Sequence, residues 1–295
     1  MKLFVFVAIV PILIIIPACA PSPSTIATQS AIPEITKVAQ WTLTPTSTLT
    51  PTATHTPTPT FTPVPTPTVL GGGFGSLAFE SDRDGKLEIY VVDIDGNNLA
   101  NLTNDEGFDF SPAWSPDLTK IAFVSDRTGK FEIYAMNADG GELTKVTDTE
   151  LRVKYPMWSP DGTKIVFEAD QYKINNIYVM DADGSDLVQL TNSKIIQDSL
   201  YDSFAPSWSP DSTKIAFTSY SDGNIEIAIV NADGSNTTNL TNNKEFDFCP
   251  IWSPDGTRIA FTSHRDGNRD IYVMDNDGNN TTKLTNNNGF TYYPI

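Results

Sequence analysis

The chain has 295 residues, with 36 Asp+Glu against 19 Lys+Arg, 2 His, 2 Cys and 21 Pro, and a formal net charge of -17. Such an excess of negative charge sets the protein against nucleic acid and anionic lipid surfaces, which are bound chiefly by Lys and Arg neutralising phosphate. Two cysteines cannot build a disulfide framework, and two histidines leave little material for a His-based metal site or catalytic triad.

The first element in chain order is an apolar run from Leu3 to Ile16, preceded by Lys2, interrupted by Pro11 and followed by Pro17, Ala18 and Cys19. It is too short to cross about 30 Å of hydrocarbon comfortably as a helix, and it fits a signal peptide over residues 1–19. Its end, Ile16-Pro17-Ala18-Cys19, resembles a bacterial lipobox, which implies that Cys19 becomes the lipid-modified first residue of the mature chain. An uncleaved anchor and ordinary secretion are the alternatives. All three put the remainder outside the cytoplasm, and the lipid anchor would be its one contact with the membrane.

Residues 20–74 are of a different kind. Between Thr42 and Thr68 there are 13 Thr and 7 Pro among 27 residues, with no apolar periodicity to bury. Such a segment cannot offset the entropy of folding and favours extended polyproline II, so it is expected to be a disordered stalk. Gly73-Phe74-Gly75-Ser76-Leu77-Ala78 matches G-x-G-x-x-A in letters. A dinucleotide fingerprint needs a strand before it and a helix after it, so no nucleotide or other cofactor is expected here.

Residues 75–295 repeat themselves. Trp114, Trp158, Trp208 and Trp252 are spaced by 44, 50 and 44 residues, and each opens a Trp-Ser-Pro-Asp. Ile-Ala-Phe or Ile-Val-Phe follows at Ile121, Ile165, Ile215 and Ile259, then an Ile-Tyr strand at Ile133, Ile177 and Ile271 (Ile-Ala at Ile227), and each copy closes with a Leu-Thr or Val-Thr pair. Four short strand-like runs in a period of 40–45 residues are what propeller blades show. Ser-Pro-Asp-Gly presets a turn, and Asp-Gly at Asp95, Asp139, Asp183, Asp233 and Asp277 marks a second hairpin in every copy. Ile-Tyr-Val-Met is apolar on consecutive residues, so both faces of that strand must be covered, as neighbouring blades would do.

The first copy begins at Leu77-Ala78-Phe79 without a Trp strand, and Tyr292-Tyr293-Pro294-Ile295 corresponds to Phe248-Cys249-Pro250-Ile251, the lead-in to one. The expected fold is therefore all-β: a propeller of five blades of four antiparallel strands, closed by the C-terminal strand. A truncated six-bladed propeller is the alternative.

These residues resemble the WD40-like β-propeller repeat of the TolB and dipeptidyl-peptidase N-terminal-domain type. The resemblance rests on Pro-x-Trp-Ser-Pro-Asp-Gly-x-x-Ile-Ala-Phe, on Ser-x-Arg-x-Gly at Ser81, Ser125 and Ser263, and on Ile-Tyr-Val-Met-x-x-Asp-Gly. It implies an interaction platform more than a catalyst, since function lives in sites grafted on folds.

No catalytic constellation is legible. There is no Gly-x-Ser-x-Gly elbow, His264 falls in a turn and reads as exposed, and Cys249 reads as a small buried apolar residue. The Asp-x-Asp-Gly turns lack the third carboxylate and distal Glu of a calcium loop, so no metal is expected. Binding is the better expectation. As the family implies, the Ser-x-Arg-x-Gly turns and the lead-ins to the Trp strands share one face, carrying Arg83, Arg127, Tyr172, Tyr220 and Arg265 with the aromatic lead-ins Phe110, Phe204, Phe248 and Tyr292. The excess between Trp158 and Trp208 adds Ile195, Ile196, Leu200 and Tyr201 there. The expected function is a surface-anchored, non-catalytic module for an extracytoplasmic protein or saccharide. The alternative is an enzyme that processes carbohydrate or peptide in the propeller channel.

Overall fold

The structure is a computed structural model that describes residues 75–172, 174–192, 205–221, 223–286 and 294. Cys19, the 20–74 segment, Ile195, Ile196, Leu200, Tyr201, Phe204 and Tyr292 lie outside the described residues.

Every regular element among the described residues is a strand. Sheet 1 has three: β1 (Ser76–Ser81), β2 (Glu88–Asp93) and β3 (Ala100–Asn101). Sheet 2 has four: β4 (Asp109–Trp114), β5 (Lys120–Ser125), β6 (Glu132–Asn137) and β7 (Thr144–Lys145). Sheet 3 holds β8 (Arg152–Trp158), β9 (Lys164–Gln171), β10 (Ile174–Asp181) and β11 (Val188–Gln189). Sheet 4 holds β12 (Ser207–Trp208), β13 (Lys214–Ser221), β14 (Asn224–Asn231) and β15 (Thr238–Asn239). Sheet 5 holds β16 (Asp247–Trp252), β17 (Arg258–Ser263), β18 (Asp270–Asp275) and β19 (Thr282–Lys283). Each sheet is an antiparallel meander, so the four-strand period holds in sheets 2 to 5, while sheet 1 shows three strands.

Tight turns built by side chains join the strands. Ser115 Oγ donates to Asp117 Oδ1 at 2.6 Å and accepts the Lys120 N–H at 2.9 Å, and Thr119 donates its N–H and hydroxyl to the same Asp117 oxygen. The arrangement recurs at Ser159, Ser209 and Ser253. Leu118 and Ser212 stand where two other copies have Gly, and both adopt φ 60°. Their N–H groups still donate to Ser115 and Ser209 carbonyls at 2.9 Å, so the turn survives at the cost of left-handed backbone on a side chain that disfavours it.

The core lies between sheets. Val166, Ile177 and Val179 of sheet 3 pack on Trp208, Ile215, Phe217 and Val230 of sheet 4. Ile89 and Val91 of sheet 1 meet Ile121 and Phe123 of sheet 2, and Ile229 of sheet 4 meets Trp252 and Phe261 of sheet 5. This double covering is the reason for the consecutive apolar residues in the Ile-Tyr strands. The Trp side chains add polar links, since Trp158 Nε1 donates to the Ala113 carbonyl at 3.2 Å and Trp208 Nε1 to that of Met157 at 3.3 Å.

The residue before proline in each Trp strand departs from expectation. Ser111, Tyr155, Ala205 and Cys249 have φ between 45° and 56°, although a following proline favours extended backbone. The pairing register of β4, β8 and β16 skips at this point, so the strained residue is part of a bulge. The bulge turns its N–H toward the preceding sheet. There Glu80 accepts from Ser111 at 2.7 Å, Glu168 from Ala205 at 3.0 Å and Thr218 from Cys249 at 3.0 Å.

Candidate functional site

Antiparallel meanders send their turns alternately to two ends. The Ser-Pro-Asp and Asp-Gly turns share one, where Ala138 N–H donates to the Thr119 carbonyl at 2.9 Å and Ala182 N–H to that of Thr163 at 2.8 Å. The Ser-x-Arg-x-Gly turns and the lead-ins to the Trp strands share the other, where the Asp126 and His264 amides donate to the Phe108 and Phe246 carbonyls. This second end is the candidate face.

Its arginines are engaged internally. Arg127 Nε donates to Ser125 Oγ at 2.8 Å, and its Nη2 lies 2.9 Å from Asp109 and 2.7 Å from Asp105. The guanidinium stacks over Phe123 and Tyr134, 5.3 and 4.8 Å from their ring centres. Arg265 repeats this on Ser263, Asp247, Phe261 and Tyr272. Arg83 stacks on Phe79 and Tyr90 in the same way but is exposed. A guanidinium suits this place because it stays charged, stacks flat on a ring and presents forked donors to a carboxylate.

Aromatic side chains stand outside that framework. In sheets 3 and 4 the Ser-x-Arg-x-Gly turn is replaced by a tighter hairpin between strands of 8 residues each. Tyr172 sits at the tip of the first with φ 56° and 85% exposure, and Tyr220 beside the tip of the second at 45%. Phe108, in the lead-in to β4, is also exposed and was not among the residues singled out from sequence. Of the aromatic lead-ins expected on this face, the two within the described residues turn inward: Phe110 packs edge-on against Phe131 at 5.6 Å, and Phe248 is buried against His264 at 5.4 Å. The strand boundary decides this: within a strand Phe108 and Phe110 would share a face, but Phe108 lies one residue before β4 begins and escapes its alternation.

His264 is half-buried, contrary to the exposed turn expected for it. Its Nε2 accepts from Arg269 Nε at 2.9 Å, and its ring lies between Phe246 and Phe248. Burial, then the positive charge of Arg269, holds its pKa below the usual histidine value.

The remaining acids close turns or strands. Asp117, Asp161 and Asp211 are held below the ordinary carboxylate range first by the hydroxyls of Ser115, Ser159 and Ser209. Asp255 falls to about 2, led by Ser253. Buried Glu132 and Glu226 accept the hydroxyls of Thr147 and Thr241 at 2.5 Å, and those Thr oxygens accept the N–H groups of Ile133 and Ile227. Glu88 with Thr103, Asn176 with Thr191 and Asp270 with Thr285 complete the series. This relay accounts for the Leu-Thr ending of each copy: the Thr ties the fourth strand's exit to the third strand. Among the described residues no group of three or more His, Cys, Asp or Glu is placed to hold a metal ion. A cleft of about 740 Å³ at the opposite end is lined by Pro116, Trp158, Pro160, Asp117, Asp161 and Asp183. Each of these three carboxylates is hydrogen-bonded within its own turn.

Residues 73–200 and 193–294 match the family described as TolB beta propeller domain. A TolB homolog from Chlorobaculum tepidum is 45% identical over 49 residues, which are 16% of this chain and 11% of that protein. TolB from Acinetobacter baumannii superposes with a TM-score of 0.56 at 26% identity, covering 72% of this chain and 53% of the other. An oligogalacturonate lyase in complex with manganese superposes with a TM-score of 0.58 at 20% identity, covering 72% and 62%, and shares the fold alone. The chain thus spans about half of the Acinetobacter TolB and about a tenth of the curated homolog. The match extends over both halves of the repeat array, Trp strands, arginine turns and Asp-Gly hairpins included, and the chain belongs to the TolB β-propeller domain family.

Proposed function

We propose that this TolB-like propeller is a non-catalytic binding module, held outside the cytoplasm by a lipid on Cys19 and carried on the 20–74 stalk, that docks a protein partner at its arginine-turn end. One observation carries the reading. Arg127, Arg265, Glu132 and Glu226 are committed to the framework, whereas Tyr172, Tyr220 and Phe108 project from that same end without such a role. Exposed aromatics on a rigid scaffold are the side chains that anchor interfaces, because they bury large area at little entropic cost. The 193–203 insertion, with Ile195, Ile196, Leu200 and Tyr201, lies outside the described residues and stays a candidate contact on its sequence alone. A saccharide would also stack on such rings.

The likeness to the oligogalacturonate lyase favours a second reading, a carbohydrate-processing enzyme, on fold alone. Two measurements separate these. The full chain should capture a discrete extracytoplasmic partner that a Tyr172→Ser/Tyr220→Ser double variant releases; equal capture by the variant contradicts the proposed face. Incubation with oligogalacturonides should leave them intact, and appearance of unsaturated products would favour the enzyme. Cys19→Ser should move the protein from the membrane to the soluble fraction, and retention in the membrane pellet would defeat the lipid anchor.

A further inference from the structure

The cleft at the Ser-Pro-Asp end lies between sheets 2 and 3, and the repeat shows why it opens there. Its lining includes Ala135 of β6 and Val146, the residue after β7. Ala135 lies opposite Thr144 as Val91, Val179, Ile229 and Val273 lie opposite Ala100, Val188, Thr238 and Thr282 in the other sheets. Val146 stands where the other copies close on Leu102, Leu190, Leu240 and Leu284. In sheet 2 alone both positions are short, together three carbon atoms shorter than Val179 with Leu190 in sheet 3. There the longer pair is buried against Trp208 of sheet 4. Between sheets 2 and 3 the space stays open, and its volume of about 740 Å³ is that of a small-molecule site.

The rest of the lining sets the chemistry. Pro116, Pro160 and Trp158 continue the apolar surface, while Asp117, Asp161 and Asp183 stand against the single ammonium of Lys120, which is turned to Asn137 Oδ1 at 3.3 Å. Asp117 and Asp183 serve their own turns through Oδ1, accepting the Ser115 and Ser185 hydroxyls at 2.6 Å, which leaves Oδ2 for another donor. Those hydroxyl bonds, with that of Ser159 to Asp161, favour the ionised acids. Equivalent acids recur at the other junctions, so the shortened floor is what singles this one out. A hydrated inorganic ion gains nothing from the apolar floor, and a neutral apolar molecule gains nothing from the acids. A cation with a hydrocarbon body uses both, and an indole beside it adds to the attraction.

We propose that this cleft binds a small free alkylammonium, with its chain on Ala135, Val146 and Trp158 and its charged end held by Asp117, Asp161 and Asp183. The site lies at the end opposite the aromatic tips and stands or falls apart from the partner reading.

Titration of the full chain with n-pentylammonium tests it, read by calorimetry and by the Trp158 indole N–H resonance. One pentylammonium should bind per chain and shift the Trp158 signal but not that of Trp208. Sodium ion and 1-pentanol should not displace it. Ala135→Val/Val146→Leu, which gives sheet 2 the side chains of sheet 3, should melt no earlier than the parent and bind about tenfold more weakly or worse, because the floor is filled. Asp117→Asn/Asp183→Asn keeps the oxygen that each turn needs and should weaken binding by about tenfold as well. Should the filled variant melt earlier, the Asn pair decides alone. Absence of saturable binding, undiminished binding by a folded filled variant or by the Asn pair, or displacement by sodium at constant ionic strength would overturn the proposal.

Discussion

Arg127 reaches Asp109 at 2.9 Å across 18 residues of chain, with the carboxylate fully buried and the guanidinium stacked on Phe123 and Tyr134. The pair pins the entry of the Trp strand to the exit of its neighbour, and Arg265 with Asp247 does the same in sheet 5. Asp105 would still pair with the guanidinium if Asp109 were lost, whereas loss of Arg127 leaves the Asp109 carboxylate buried without compensation, so Arg127→Ala should cost about 3 kcal/mol in urea unfolding. Arg127→Lys should also destabilise, since an ammonium neither stacks flat nor forks. An unchanged midpoint in both variants would mean that the pair contributes nothing net.

The threonine relay differs between sheets in a way that can be measured. Thr241 donates to the Glu226 carboxylate, whereas Thr191 donates to the Asn176 amide oxygen at 3.0 Å. Hydrogen bonds to charged groups are worth more than neutral ones, so Thr241→Val should cost about 2 kcal/mol and Thr191→Val about 1 kcal/mol. Equal losses would show that the charge on Glu226 is immaterial.

Gly184 has φ 90°, and a Cβ placed on it would stand 2.1 Å from the Val146 carbonyl oxygen of the preceding sheet. Gly278 meets the Leu240 carbonyl at 2.6 Å in the same way, whereas Gly129 has open space around it. Gly184→Ala should therefore separate two sheets and cost about 3 kcal/mol or more, while Gly129→Ala should cost only its backbone strain, about 1 kcal/mol. Thermal unfolding of the two variants compares them directly.

Acid should unfold the protein in two stages. Asp255 has a folded pKa of about 2 against an ordinary 3.8, so its contribution is complete above the ordinary value and is lost as pH falls through the folded one. Asp117, Asp161 and Asp211 act in the same direction, and stability should drop between about pH 4 and 2. His264 is lowered from 6.5, so its contribution begins to fade earlier, as pH drops below that value. Replacing His264 by Gln should flatten the change in Tm between about pH 7.5 and 5.5, and Asp255→Asn should flatten only the lower stage. A His264 titration at or above 6.5 by NMR would contradict the first stage.

Much of this architecture is legible in the residues because each blade repeats its turn chemistry. Trp114, Trp158, Trp208 and Trp252 with their Ser-Pro-Asp turns mark four strand pairs, and the Asp-Gly dipeptides mark five hairpins. What is not legible depends on register. Arg127 and Asp109 lie too far apart in sequence to pair on paper, so the arginines read as free surface groups until β4 and β5 are aligned. The left-handed backbone at Ser111, Tyr155, Ala205 and Cys249 runs against the local preference before proline, and at Ser111, Ala205 and Cys249 it is sustained by acceptors on another sheet. Phe108 and Phe110 are two residues apart, and only strand boundaries reveal which one faces solvent.

The binding face is tested most directly by a photo-crosslinking side chain placed at position 172 or 220 of the chain in its own cellular setting. Both positions should yield the same discrete protein adduct, and a probe at Leu187, exposed near the Asp-Gly turns, should yield none. Adducts from Leu187 with none from Tyr172 or Tyr220 would contradict the account.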